Sequence, residues 1–367
     1  MSVVLPVHNG ERYLAQAVES TLGQDVESLE LIVVDDASTD GSAAILRRYG
    51  DSVRYLRVDK QESSIAATNV GLREARGDYV CILHQDDFFL PGKLARHVEL
   101  MDGDPTIGFS YSAQWFVGPA GEPLSRLRSP LRRADYVVEG RDELRHLGVQ
   151  NYLNYCNVVM RRTTLESVLT FENPNWVSAD WGVWLRLALR YRVGYVDKVL
   201  VCYRIHPEAQ TLARSHDPDV WGDQLWHVVE ELYTSPELPQ SIASRRALTE
   251  ANQHLSIGLL RLLRRDWRGG RRSLARAARL AGRRLPSVIY SSAVVPRAGS
   301  RLKMMVRRRL DPDAGDGASS GAEAGVAALR CGVCGAISGY PLWRPVRRAP
   351  AATRRFRCLA CGARWSA

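Results

Sequence analysis

Three places in the chain put carboxylates where strands and helices should meet. "LELIVVDDAS" (Leu29–Ser38) closes on Asp35 and Asp36, "DYVCILHQDD" runs into Asp86 and Asp87, and "SADWGVWLRL" opens a helix at Asp180. Neighbouring acids such as Asp86 and Asp87 repel. A hard divalent cation, Mg²⁺ or Mn²⁺, relieves that repulsion while it binds the phosphates of a substrate. An acidic turn or helix cap is the competing reading, because a helix opens near Pro91–Gly92. For Asp180 the alternatives are a general base and a plain N-terminal acid facing the helix dipole.

The elements that must position these acids alternate. Val3–Val7, Leu29–Ser38, Val53–Val58 and Asp78–Leu83 read as strands, separated by helix-like stretches such as "ERYLAQAVESTLGQ" and "IAATNVGLREARG". That order predicts a mostly parallel sheet covered by helices on both faces. Ligands of such sheets bind beyond the carboxyl ends of the strands, where Pro6, His8, Asp36, Asp86 and Asp87 should gather. Further on, "GFSYSAQWFV" and "YCNVVMRR" read as strands, then "WGVWLRLALRY" as a helix and "VGYVDKVLVCYRI" as a strand. Residues 219–284 read as helical, with a break at Gly269–Gly270.

In this order, "VVLPVHNGERYLAQAVESTLGQ", "LELIVVDDASTDGS", "GLREARGDYVCILHQDD" and "SADWGVWLRLALR" resemble glycosyltransferase family 2. These are inverting enzymes of GT-A fold that use nucleotide-diphosphate sugars, and the likeness covers roughly Ser2 to Pro207. The resemblance implies that Pro6, His8 and Glu11 contact the nucleotide and that Asp36 accepts a hydrogen bond from the base. It implies Asp87 as the direct ligand of Mg²⁺ or Mn²⁺ and Asp86 as a ribose or metal-shell residue. Asp180 then deprotonates a hydroxyl acceptor, Arg204 faces phosphate, and His206 binds metal or phosphate. The chain departs from the family pattern at His84, where an acid is usual, and at Ala179, where a glutamate is common. A non-catalytic binding protein on a decayed transferase scaffold is the rival reading.

The chain has 367 residues, 45% of them hydrophobic and 25% charged, with a net charge of +10. This composition is that of a folded protein with a sizeable core. The charge is uneven, because residues 240–310 hold eighteen Lys and Arg against only Glu250 and Asp266. Such a basic helical stretch reads as a solvated appendage or as a contact with anionic lipid, which suits a lipid-linked acceptor; nucleic acid is the least favoured partner. Cys81, Cys156 and Cys202 read as buried thiols. "CGVC" (Cys331, Cys334) and "CLAC" (Cys358, Cys361) have the spacing of a structural zinc ribbon. The expected organisation is a catalytic domain over 1–215, basic helices over 216–310, a linker over 311–328 and the ribbon over 329–367. With no apolar run of spanning length and no basic leader, the expected location is cytoplasmic, at most peripheral to a membrane.

Overall fold

The structure is a computed structural model that describes residues 1–61, 64–167, 179–209 and 217–291, together with three short C-terminal strands. The chain begins β1 (Ser2–Val7), α1 (Leu14–Leu22), β2 (Glu30–Asp36), α2 (Ser42–Arg47), β3 (Arg54–Val58), α3 (Ser64–Glu74) and β4 (Tyr79–Ile82). These four strands lie parallel in the order β3-β2-β1-β4. The run "VVLPV" is apolar throughout because β1 is covered on both faces. Val3 and Leu5 pack with Leu14, Val18 and Leu46 of α1 and α2. Val4, one residue out of phase, packs with Ile65 and Leu72 of α3.

A proline fits this interior strand for a local reason. Val4 carbonyl accepts from Leu83 N–H at 2.9 Å, so the backbone at Val4 faces β4. Two residues on, Pro6 turns its nitrogen the same way, past the last β1–β4 pair at Val4↔Ile82, where no ladder donor is needed.

The second half departs from the parallel expectation. It adds β5 (Phe88–Phe89), α4 (Lys93–Asp102), β6 (Ile107–Val117), β7 (Pro123–Leu127), β8 (Tyr136–Val138), α5 (Gly140–Leu147), β9 (Val158–Arg161), α6 (Arg162–Ser167), α7 (Ala179–Arg190) and β10 (Arg192–Arg204). The sheet continues β4-β9-β6-β10-β5, and β9 is antiparallel to both of its neighbours. The sheet is therefore mixed. At the β6–β7 pair a short connection accounts for the antiparallel arrangement: residues 118–122 alone join them, a hairpin length, whereas a parallel pair needs a long crossover.

Four helices follow: α8 (Pro218–Thr234), α9 (Gln240–Ala243), α10 (Arg246–Leu263) and α11 (Trp267–Ala281), then the shorter α12 (Leu285–Ser291). Leu225, Val228 and Leu232 of α8 join the core formed by Trp181 and Trp184 of α7 with Phe109 and Tyr195 of the sheet. The expected break at Gly269–Gly270 does not occur. The helix breaks at 264–266 instead, where Arg265 takes a left-handed φ of 64° and Asp266 caps α11 by accepting from Gly269 N–H at 2.8 Å. The glycine serves packing: a Cβ on Gly270 would stand 2.6 Å from Leu262. A side chain there would push α10 and α11 apart.

The C-terminal strands β11 (Trp343–Pro345), β12 (Arg355–Cys358) and β13 (Arg364–Ser366) form an antiparallel sheet with Trp343 opposite Cys358. Cys331, Cys334 and Cys361 lie outside the described residues. No described helix is long and apolar enough to cross a membrane.

Candidate active site

The loops after β1 and β2 are sewn together at the carboxyl edge of the sheet. His8 Nδ1 donates to the Asp36 carbonyl at 2.7 Å, Asn9 N–H donates to Ser38 Oγ at 3.0 Å, and Thr39 N–H donates to Asn9 Oδ1 at 2.8 Å. Glu11 Oε2 accepts from Gly41 N–H at 3.0 Å, which binds it to the start of α2. Asn9 and Ala37 both adopt positive φ, at 49° and 53°, a conformation found where loops are held for function. Asp35 is the knot beneath. Its carboxylate takes Ser38 N–H at 2.9 Å, Tyr55 OH at 2.6 Å and Arg57 Nη1 at 2.9 Å. Burial pushes this carboxyl up, but those hydrogen bonds and the Arg57 charge outweigh it and hold the group below its ordinary value.

Asp36, 3% exposed, holds Lys60 Nζ at 2.6 Å and Gln61 N–H. Of the first-loop residues Pro6 lies buried within β1, His8 is partly exposed, and Glu11 is exposed beside the α2 turn. Gln85 joins β1 to β4: its Oε1 accepts from His8 N–H at 2.8 Å and its Nε2 donates to the His8 carbonyl at 3.1 Å. Gly10 is small for this reason, since a Cβ there would stand 2.7 Å from Gln85 Oε1.

The acid pair splits. Asp87 turns inward, 3% exposed, where its Oδ1 accepts from Arg204 N–H at 2.8 Å beside the Cys156 thiol. Burial pushes its carboxyl up to about 7 against the pull of that amide. Asp86 turns outward and brings Oδ2 to 3.0 Å from His206 Nε2. The sequence reading gave the cation to Asp87; the structure buries Asp87 and leaves Asp86 the more exposed of the two. β5 pairs with β10 at Phe88↔Cys202, which fixes the side to which each acid points.

Arg204 also turns inward. Its guanidinium donates to the carbonyls of Asp86 at 2.8 Å, Gly118 at 3.3 Å and Pro119 at 2.9 Å and to Gln16 Oε1 at 2.5 Å, and it stacks 4.4 Å over Tyr13. At 4% exposure it is a strut between chain segments.

His206 is 4% exposed, and its ring packs edge-on to Tyr13 at 5.0 Å. Despite the contact with Asp86, neither ring nitrogen has a well-angled hydrogen bond among the described residues. The imidazole and the carboxylate could supply two ligands of a divalent cation, and among the described residues no third His, Cys, Asp or Glu joins them. The oxygen and imidazole donors suit Mg²⁺ or Mn²⁺.

Asp180 stands at the start of α7, as expected. Its Oδ1 accepts from Asn151 Nδ2 at 3.1 Å and from Trp181 N–H at 2.7 Å. Burial, with the Asp180 charge beside it, raises the hydroxyl of Tyr155, whose ring meets His84 edge-on at 5.1 Å. Burial holds His84 below its ordinary value, partly countered by Asp86. Asp180, Tyr155, His84, Asp86 and His206 thus follow one another along the rim. The sequence reading put Gln85 on the rim without a role and missed Asn151 and Tyr155, which sit in the Asn- and Tyr-rich stretch "NYLNYCN", a run without periodicity.

Residues 2–148 match the family described as Glycosyl transferase family 2. The putative teichuronic acid biosynthesis glycosyltransferase TuaG of Bacillus subtilis is 31% identical over 129 residues, 34% of this chain and 51% of TuaG. An uncharacterized glycosyltransferase of Rickettsia felis is 23% identical over 244 residues, 63% of this chain; the chain spans 39% of that relative's length. Among solved structures, S. aureus TarS 1–349 in complex with UDP-GlcNAc superposes with a TM-score of 0.57 at 16% identity, covering 84% of this chain and 91% of that one. Mannosyltransferase PcManGT from Pyrobaculum calidifontis, in complex with GDP-Man and Mn²⁺, gives 0.52 at 17% identity over 83% and 79%. The fold is a mixed-sheet GT-A-like fold, and the likeness to glycosyl transferase family 2 covers residues 2–148.

Proposed function

We propose that the protein is an inverting glycosyltransferase that moves a sugar from a nucleotide-diphosphate sugar to a hydroxyl acceptor. The observation that carries this reading is the contiguous rim from Asp36 to Asp180, in a chain whose matching family and solved neighbours are glycosyltransferases. The sewn loops at His8, Asn9 and Asp36 receive the nucleoside. Asp86 and His206 would hold Mg²⁺ or Mn²⁺, which would supply charge neutralisation to the departing diphosphate. Asn151 and the Trp181 amide fix the Asp180 carboxylate so that it takes the acceptor's hydroxyl proton. As that proton moves to Asp180, the acceptor oxygen bonds to the anomeric carbon from the face opposite the breaking bond to diphosphate. The product is inverted. A teichuronic acid enzyme among the relatives supports a cell-envelope polysaccharide or glycolipid product, with a lipid-linked acceptor.

The C-terminal cysteines are proposed to hold one structural zinc. β12 ends on Cys358, so "CLAC" begins at the end of that strand and lies between β12 and β13 in the sequence.

Calorimetric titration of the full chain with UDP, GDP and their sugars, with and without Mn²⁺, tests the donor site. One nucleotide should bind, Asp86→Asn should weaken the Mn²⁺-dependent part, and Asp180→Asn should bind normally without turning over. Well-folded protein that binds none of them would sink the reading and leave a non-catalytic binding protein.

A further inference from the structure

The corner between α10 and α11 exposes what a folded protein ordinarily hides. Leu263 is 57% exposed and Trp267 61%, and Ile289 on α12 is 42% exposed. Around them stand exposed arginines: Arg264 and Arg265 in the corner, Arg268, Arg271, Arg272, Arg276 and Arg279 along α11, and Arg283 and Arg284 beyond it. The inner face of α11 is small and buried, at Gly270, Ser273, Ala277 and Ala281. Its outer face is therefore nearly all guanidinium, and residues 267–291 contain no Asp or Glu.

Arginines on neighbouring helices are neutralised within the fold, as Arg186 is by Glu231, Arg190 by Glu237, Arg246 by Glu230 and Arg261 by Asp219. Those of the α11 outer face, Arg268, Arg271, Arg272, Arg276 and Arg279, make no ion pair among the described residues. Their counter-charge must come from outside. We propose that this corner and the outer face of α11 dock on an anionic lipid bilayer, with Leu263 and Trp267 entering the headgroup boundary and the arginines meeting lipid phosphates.

Charge alone would suit any polyanion. The exposed leucine and tryptophan at the corner select a partner with an apolar interior, and tryptophan and arginine are the side chains that settle at such a boundary. The surface shares no residue with the donor site, so its failure and that site's failure are separable.

The test is flotation of the full chain with vesicles of phosphatidylcholine alone and of phosphatidylcholine with phosphatidylglycerol. Binding is expected only to the anionic vesicles and should be lost at high salt. Leu263→Ala with Trp267→Ala should weaken it roughly tenfold. Arg271→Glu and Arg272→Glu should each weaken it by about fivefold or more. Both sets of variants should keep the wild-type melting temperature and nucleotide affinity. No binding to anionic vesicles, or binding unchanged in both sets, overturns the proposal. So does duplex RNA that strips the protein from vesicles and is itself bound through the same residues.

Discussion

Replacing Arg204 with methionine separates two roles that the sequence alone cannot tell apart. In the structure Arg204 is a strut, so the loss should be one of stability. The substitution roughly conserves bulk but leaves the Asp86 and Pro119 carbonyls and Gln16 Oε1 without their donor. Hydrogen bonds from a charged donor are worth about 1.5–3 kcal/mol each, and the cation stacked on Tyr13 adds about 1 kcal/mol. Part is recovered because a buried charge is removed along with its bonds, so the expected loss is about 3–5 kcal/mol. That is a large share of the roughly 5–15 kcal/mol that holds a domain folded. Urea unfolding at neutral pH, followed by far-UV circular dichroism, measures it. Arg204→Lys should recover little, since one ammonium cannot replace a planar fork that reaches four oxygens. The reasoning is refuted if Arg204→Met unfolds at the wild-type midpoint while its affinity for nucleotide diphosphate falls tenfold or more, for then the guanidinium serves phosphate.

Other outcomes follow from the same geometry. Glu143 is buried on α5 with Tyr111, Tyr136 and Tyr152 hydroxyls on its carboxyl; burial pushes its pKa up, partly offset by those hydroxyls. A raised carboxyl favours the protonated folded state, so wild-type stability should fall as pH rises from the unfolded value of 4.5 toward the folded one. Melting curves of Glu143→Gln should lose that slope, gaining on wild type as pH rises; parallel curves would show that Glu143 does not titrate. Asn151→Ala frees one side of the Asp180 carboxylate and should lower kcat by about ten- to a hundredfold with nucleotide affinity unchanged; a weakened affinity in calorimetry would count against a pure positioning role. His206→Ala should reduce Mn²⁺-dependent nucleotide binding about tenfold or more and leave metal-free binding alone. Elemental analysis should find one zinc per purified chain, and Cys358→Ser should lose it.

The acid and amide positions were legible because they rest on local patterns. Apolar runs such as "VVLPV" and "LIVV" make strands wherever they can be covered on both faces, and polar residues at their ends must fall on the carboxyl rim. That places His8, Asp36 and Asp86 from the sequence alone, while Asp180 is placed by the helix it opens. The mixed second half, the helix break at Arg265 and the inward turn of Arg204 were not legible. Each depends on contacts that no local pattern encodes: the antiparallel pairing of β9 with β4 and β6, the close approach of α10 to α11, and the oxygens of Gln16 and Pro119. The split of Asp86 from Asp87 shows this most simply. The two acids sit at a tight turn, in which Asp87 N–H donates to the His84 carbonyl at 3.1 Å, so strand alternation assigns neither a side and no local pattern says which faces in. Only the pairing of Phe88 with Cys202, more than a hundred residues distant, decides which.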